Sequence, residues 1–267
     1  MTTVIPLEEE TVLEGGFTNA GRVTRVGDTV RRPLRPTTPA THALLRHLEA
    51  AGFDGAPRVL GIEGDREVLS FIPGQAALPP YQPWALTDEA LVGVATLLRR
   101  FHDAAESFDA GGHEWSHAVP AAFRGALVSH NDPNLDNVVF AGGRAVALID
   151  FDLAGPGSRV WDVACAARLW APLREERDQP GKVRGRTRER LVVFADAYGL
   201  AAADRGRLVD ALVSTHDWCY AIVRRAVDDG HEAFGREWRS GGAGRAERTR
   251  AWLAAQDRVL RSALGVE

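Results

Sequence analysis

The stretch LVSHNDPNLDNVVFAGGRAVALIDFD, residues 127–152, decides the fold. It holds two apolar runs, Val138-Val139-Phe140 and Ala145 to Ile149, joined by Ala141-Gly142-Gly143-Arg144. That pattern predicts two antiparallel strands closed by a tight turn. The far ends of such a hairpin lie side by side. Asn137 at the entrance and Asp150 at the exit are therefore expected to be neighbours. An amide oxygen and a carboxylate converging on one point suit Mg²⁺, a hard cation that takes oxygen ligands and a share of a substrate's phosphate. Asp132 stands just ahead of the first strand, close enough to meet a hydroxyl of an acceptor. Asp152 is expected on the same side as Asp150, because strand side chains alternate. Taken singly, each of these residues is also a good turn former. It is their joint spacing that points to a site.

Upstream, residues 11–74 read as strands with one helix between them. Val23 to Val26, the turn Gly27-Asp28 and Thr29 to Arg32 form a hairpin signal. Pro39 to Ala51 carries Leu44, Leu45 and Leu48 at helical spacing and ends at Gly52. Val59 to Ile62 and Glu67 to Ile72 are further short strands. Pro73-Gly74 breaks the chain, and Pro79-Pro80 and Pro83 follow. We place a hinge near Ser70–Gly74, with an N-terminal lobe over 1–74 and a C-terminal lobe over 75–267. Thr87 is a good N-cap for a helix whose buried face is Leu91, Val94, Leu97, Leu98 and Phe101. Residues 106–126 read as loop. Residues 160–262 read as mostly helical, broken near 180–187 and 240–244. The expected class is α+β, a small sheet-bearing lobe followed by a larger helical one.

The chain has 267 residues, 45 % apolar and 25 % charged, which suits a globular protein with a sizeable core. Its net charge of −4, without a concentrated basic patch, argues against nucleic-acid binding. Cys165 and Cys219 do not make a disulfide framework. No apolar run reads as a membrane span or secretory signal, so no membrane partner and a cytoplasmic location are expected. A monomer or homodimer is expected.

The run H-N-D-P-N-L-D-N (130–137) followed by I-D-F-D (149–152) resembles the H-x-D-x-x-x-x-N and D-x-D/E pair of the aminoglycoside phosphotransferase family, within the kinase-like superfamily. Other stretches are similar to that family in the same order. EGGFTNAG (14–21) resembles its nucleotide-covering loop. EVLSFIPG (67–74) resembles the segment that meets the adenine. LLRRFHDA (97–104) and WDVA (161–164) resemble two of its helices. The resemblance implies a protein-kinase-like two-lobed fold. It implies transfer of the γ-phosphate of ATP, or GTP, with Mg²⁺, to a hydroxyl of a small molecule, such as an aminoglycoside or another antibiotic. It casts Asp132 as the catalytic carboxylate and His130 as a brace of its loop. Asn137 and Asp150 become the metal ligands. Gly16, Thr18, Asn19, Ser70 and Ile72 become nucleotide contacts. Asp162 is expected to anchor the loop.

One departure stands out. Kinase-like folds pair a strand lysine with a helix glutamate to hold the phosphates. The only lysine here is Lys182, far outside the N-terminal lobe. Arg31 or Arg32 must replace it; the family's pattern favours Arg31. The glutamate position falls near Thr41-His42, so that ion pair is expected to be missing. A nucleotide-binding or toxin-immunity module with little turnover is therefore an alternative, and the chain also resembles a branch linked to immunity against a peptide toxin. A further alternative is a zinc peptidase, since His113-Glu114-Trp115-Ser116-His117 matches H-E-x-x-H. That motif needs a stable helix, and Gly111-Gly112 and Pro120 flank it.

Overall fold

The computed structural model describes residues 10–13 and 21–266. An antiparallel sheet of five strands comes first, in the order β1-β2-β3-β5-β4. Its strands are β1 (Thr11–Val12), β2 (Thr24–Val26), β3 (Thr29–Pro33), β4 (Val59–Glu63) and β5 (Arg66–Ser70). Val26 pairs with Thr29 across the two-residue turn. Helix α1 (Thr38–Ala50) buries Leu44, Leu45 and Leu48. Removing each from water stabilises the lobe by roughly 1.5–3 kcal/mol.

After β5 the Phe71 N–H donates to the Asp28 carbonyl, and the chain leaves the sheet. Gln75 then bridges Phe140, each N–H donating to the other's carbonyl at 2.9 Å. Gly74 makes that crossing possible. Its φ is +153°, and a Cβ there would stand 2.5 Å from the Phe140 carbonyl oxygen. No side chain fits.

Helix α2 (Asp88–Ala105) is the spine of the remainder. Thr87 caps it by accepting from the Ala90 N–H. Leu91, Val94, Leu97, Leu98 and Phe101 are all buried. Two small strand pairs lie beside it. The first pairs β6 (Leu127–Ser129) with β9 (Gly155–Gly157), and the second is the hairpin of β7 (Val138–Ala141) and β8 (Arg144–Leu148). Both pairings draw the segment before β7 towards the segment after β8. Helices α3 (Arg159–Trp170), α4 (Thr187–Tyr198), α5 (Ala202–Asp228), α6 (Glu232–Glu237) and α7 (Ala243–Ala263) complete the chain. The helical run is interrupted over 171–186 and again around Gly241, whose φ is +116°. Among the described residues no helix is long and apolar enough to cross a membrane.

Candidate active site

Asp162, one turn into α3, organises the loop between β6 and β7. Its carboxylate is fully buried. One oxygen accepts from the His130 N–H at 2.7 Å and from His102 Nε2 at 2.9 Å; the other accepts from the Asn131 N–H at 2.8 Å. Burial alone would raise its pKa, but these bonds and the nearby histidines hold it below the usual carboxylate range. Asn131 can then adopt a left-handed backbone, φ 67°, with its amide donating to the Leu153 carbonyl and its oxygen accepting from Trp161 Nε1. His130 lies inside the loop, where Nε2–H donates to the Ile149 carbonyl at 3.0 Å and Nδ1 faces the Asp132 N–H at 3.3 Å. Those partners require the neutral tautomer with its proton on Nε2. Burial favours the same state by lowering the His130 pKa.

Asp132 emerges from this scaffold. Asn134 Nδ2 donates to Oδ1, and Asn137 Nδ2 donates to Oδ2 at 3.0 Å and to the Asp132 carbonyl at 2.9 Å. With its nitrogen thus engaged, the Asn137 amide presents its oxygen elsewhere. Asn137 is tied to the hairpin's exit by the Ile149 N–H, which donates to its carbonyl at 2.9 Å. Asp150 follows in a left-handed conformation, φ 61° and ψ 67°. For a residue with a Cβ that backbone is strained, and such strain concentrates at working sites. Enclosure by protein atoms and repulsion from Asp150 and Asp136 push the Asp132 pKa up to about 7. Enclosure and Asp152 push Asp150 up to about 6, against the pull of Arg32. Carboxylates beside an amide oxygen are the donor chemistry that a divalent cation takes, and in this structure arginines hold two of them, Asp150 and Asp152.

The strand arginines differ from expectation. Arg31 pairs with Glu63 at 3.0 Å, on the side of β3 away from Asp150. Arg32 is the buried one. Its Nε donates to Glu67 at 2.8 Å, and one terminal nitrogen meets Asp150 and Asp152, each at 3.0 Å. Arg31 is therefore not the residue that reaches the site. The cause is strand parity: neighbouring side chains take opposite faces, and Arg32 shares its face with its cross-strand partner Glu67. The expected loss of the anchoring carboxylate is also corrected. Glu67, on β5 rather than on the helix, supplies it, and His42 of α1 bonds the other oxygen at 2.8 Å. Burial opposes the Arg32 charge, but Asp152, Asp150 and Glu67 outweigh it and keep the guanidinium protonated. The Asp152 prediction holds in outcome and fails in cause. Asp150 and Asp152 converge on Arg32 through a left-handed residue and a short helical turn, not through an extended strand.

The remaining sequence-named residues divide. Gly16, Thr18 and Asn19 lie outside the described residues. Ser70 ends β5, where its N–H donates to the Arg58 carbonyl and its hydroxyl oxygen accepts from the Arg58 N–H. Ile72, just past the sheet, has no backbone N–H partner among the described residues. His113 and His117 sit in irregular chain rather than one turn apart on a helix. His113 stacks on Phe108, and His117 packs on Trp218. The H-E-x-x-H geometry of a zinc peptidase is absent from this segment. Sequence reasoning missed Glu67 and His42 as partners of the arginine. It also missed Arg35, which holds Asp152 at 2.9 Å.

Comparison with known proteins accords with this geometry. Residues 113–208 match the phosphotransferase enzyme family. The trifolitoxin immunity protein of Rhizobium leguminosarum bv. trifolii is 33 % identical over 275 residues, covering 97 % of this chain and 100 % of that one. The chain belongs to the aminoglycoside phosphotransferase family. Solved structures show the kinase-like fold across nearly its whole length. A choline/ethanolamine kinase family protein from Mesorhizobium loti superposes with a TM-score of 0.63 at 18 % identity, covering 96 % of this chain and 92 % of that one. The GDP complex of aminoglycoside 2'-phosphotransferase-IIIa gives 0.65 at 15 % identity, covering 92 % and 94 %.

Proposed function

We propose that this member of the family transfers the γ-phosphate of a nucleoside triphosphate to a hydroxyl of a small molecule. The observation that carries the reading is the convergence of Asp132, Asn137 and Asp150 with the buried Arg32. Asp132 orients the acceptor hydroxyl and takes its proton as the oxygen bonds to phosphorus and the bond to the nucleoside diphosphate breaks. A carboxyl titrating near neutrality suits that exchange. Asn137 and Asp150 would hold Mg²⁺, which when bound neutralises charge on the nucleotide phosphates. Arg32, freed from Asp150, meets those phosphates in place of lysine, with Glu67 and His42 fixing its orientation. The backbone at Ile72 receives the base. The chain divides into lobes near residue 74. The decisive test is Mg²⁺-dependent consumption of ATP or GTP, stimulated by one member of a panel of hydroxylated small molecules. No consumption with any acceptor would sink the reading.

The name of the 33 %-identical relative favours a second reading, in which the chain confers immunity by binding rather than turnover. Protection of cells by the Asp132→Asn variant at parental level would establish it.

Two variant sets test the assigned roles. Asn137→Ala and Asp150→Ala should each abolish most of the Mg²⁺-dependent increment in nucleotide affinity, read by titration with and without the metal. An increment that survives both would place the metal elsewhere. Arg32→Ala should lower kcat/KM for ATP by about 10–100-fold, the value of a charge-assisted hydrogen bond. Arg31→Ala removes only an exposed ion pair with Glu63, worth up to about 1 kcal/mol. Steady-state kinetics against varied ATP would detect a reversed order, which would restore Arg31 to the site.

A further inference from the structure

Two arginines in the helical lobe lack the partners that the chain's other enclosed arginines have. Arg168, on α3 six residues after Asp162, has one terminal nitrogen 3.3 Å from the Cys219 thiol. Its Nε is buried without a hydrogen-bond partner. Arg174, just beyond α3, is half-buried, and no carboxylate pairs with it among the described residues. Elsewhere the pattern is different. Arg186 and Arg190 share Asp88, Arg248 holds Asp178, and Arg261 holds Asp257 and Asp210. The remaining arginines without ion pairs, such as Arg46, Arg144 and Arg188, are exposed and solvated. A guanidinium shielded from water and left without an anion is costly, so this pair calls for a reason.

Their position supplies one. Arg168 lies within electrostatic range of Asp132 and of Arg174. Arg174 lines a cavity of about 480 Å³ walled by Pro80, Tyr81, Pro83 and Leu86. Tyr81 in turn feels the charge of Asp136, four residues after Asp132. The chain's single lysine, Lys182, borders the same cavity, with its ammonium bonded only to the Pro83 carbonyl at 2.8 Å. Asp178, which also lines it, is neutralised by three hydrogen bonds from Arg248. Asp132 and Asp136 are the acidic groups on the catalytic side. Burial and the adjacent Arg168 both press the Arg174 pKa downward, so an incoming anion would relieve both guanidinium groups. Arg174 and Lys182 thus put positive charge on this cavity, while Arg168 lies outside its lining, on the helix whose Trp170 Nε1 donates to the Pro133 carbonyl of the Asp132 loop at 2.9 Å.

Three acidic groups of the helical tail already face an arginine, two of them in exposed pairs one helix turn apart. Asp217 is held by Arg250, Asp229 by Arg225 and Glu232 by Arg236.

We propose that the acceptor is a hydroxyl compound bearing an oxyanion, a carboxylate or a phosphate, which Arg168 and Arg174 clamp while its hydroxyl meets Asp132. The proposal rests on the phosphotransferase reading and narrows it. Guanidinium groups recognise such oxyanions through paired, directional bonds that an ammonium does not reproduce. On this basis polycationic aminoglycosides are poor acceptors, because the cavity repels them.

A charge-matched series on one polyol tests this with the full chain, Mg²⁺ and a non-hydrolysable ATP analogue. Gluconate, sorbitol 6-phosphate, gluconamide and glucamine differ mainly in charge. We expect the two anions to bind about tenfold more tightly than the amide or the amine, by calorimetry or ligand-detected NMR. Whichever anion binds more tightly identifies the oxyanion. Arg168→Gln and Arg174→Gln should erase the preference, with thermal unfolding confirming that the variants fold. The series on the parent chain decides the matter even if a variant does not. Tighter binding of glucamine or of an aminoglycoside, or no charge preference, including no binding at all, overturns the proposal. Nucleotide binding and ATP consumption are measured separately, so failure here is distinguishable from failure of the phosphotransferase reading.

Discussion

Asp132→Asn should slow phosphoryl transfer by about 10²–10⁴-fold while leaving nucleotide affinity near that of the parent chain. The substitution preserves shape and removes the ability to take a proton. Asn134 and Asn137 donate to different carboxylate oxygens, so only one of them keeps a side-chain acceptor; Asn137 also retains its bond to the residue's carbonyl, and the loop keeps part of its geometry. The Arg32, Glu67 and Asp150 cluster, proposed to meet the nucleotide, is not altered by the substitution. Removing the negative charge of Asp132 also eases the repulsion that it exerts with Asp150. Metal-dependent nucleotide binding should therefore hold or improve slightly as turnover falls. That split separates a catalytic carboxylate from a structural one. Single-turnover kinetics beside a nucleotide titration would show it. Turnover within a few-fold of the parent would remove Asp132 from the chemistry.

The parts of this arrangement that could be read beforehand depend on local periodicity. The α2 face of Leu91, Val94, Leu97, Leu98 and Phe101 follows from helical spacing alone, and all five are buried. The 138–148 hairpin follows from two apolar runs and a glycine turn, and its closure puts Asn137 opposite Ile149. What resisted reading is non-local or a matter of parity. Adjacent arginines on one strand are indistinguishable until the cross-strand register is known, and that register pairs Arg32 with Glu67 across 35 positions of sequence. Asp150 leaves the strand through a left-handed residue, which no apolar pattern announces. The ties between Ser70 and Arg58 depend on the β4–β5 pairing, which brings the two residues alongside. The enclosure of Arg168, whose Nε has no partner, depends on packing against Cys219 of α5, 51 positions away in sequence.

Asp162→Ala should produce the largest loss of stability, about 3–5 kcal/mol, because it breaks a fully buried network and strands its partners. The His130 and Asn131 N–H groups and His102 Nε2 all lose their acceptor in a region without water access. His102 also bonds the Tyr198 hydroxyl at 2.7 Å, so the damage reaches α4. Asp162→Asn should cost less, since its amide oxygen retains part of the acceptor capacity while its nitrogen faces donors. The pH dependence distinguishes this account from a simple loss of packing. Asp162 has a depressed pKa in the folded chain, against about 3.9 when unfolded. Its contribution is therefore fully present above about pH 4 and is lost as the pH falls through the folded value. The parent chain should lose stability steeply in that acid range. Asp162→Ala, lacking the group, should be less stable at neutrality yet show a shallower acid dependence. Urea unfolding at a series of pH values would reveal it. An unchanged acid slope in the variant would mean that Asp162 is not the charged anchor of the catalytic loop, and that another interaction holds His130 and Asn131 in place.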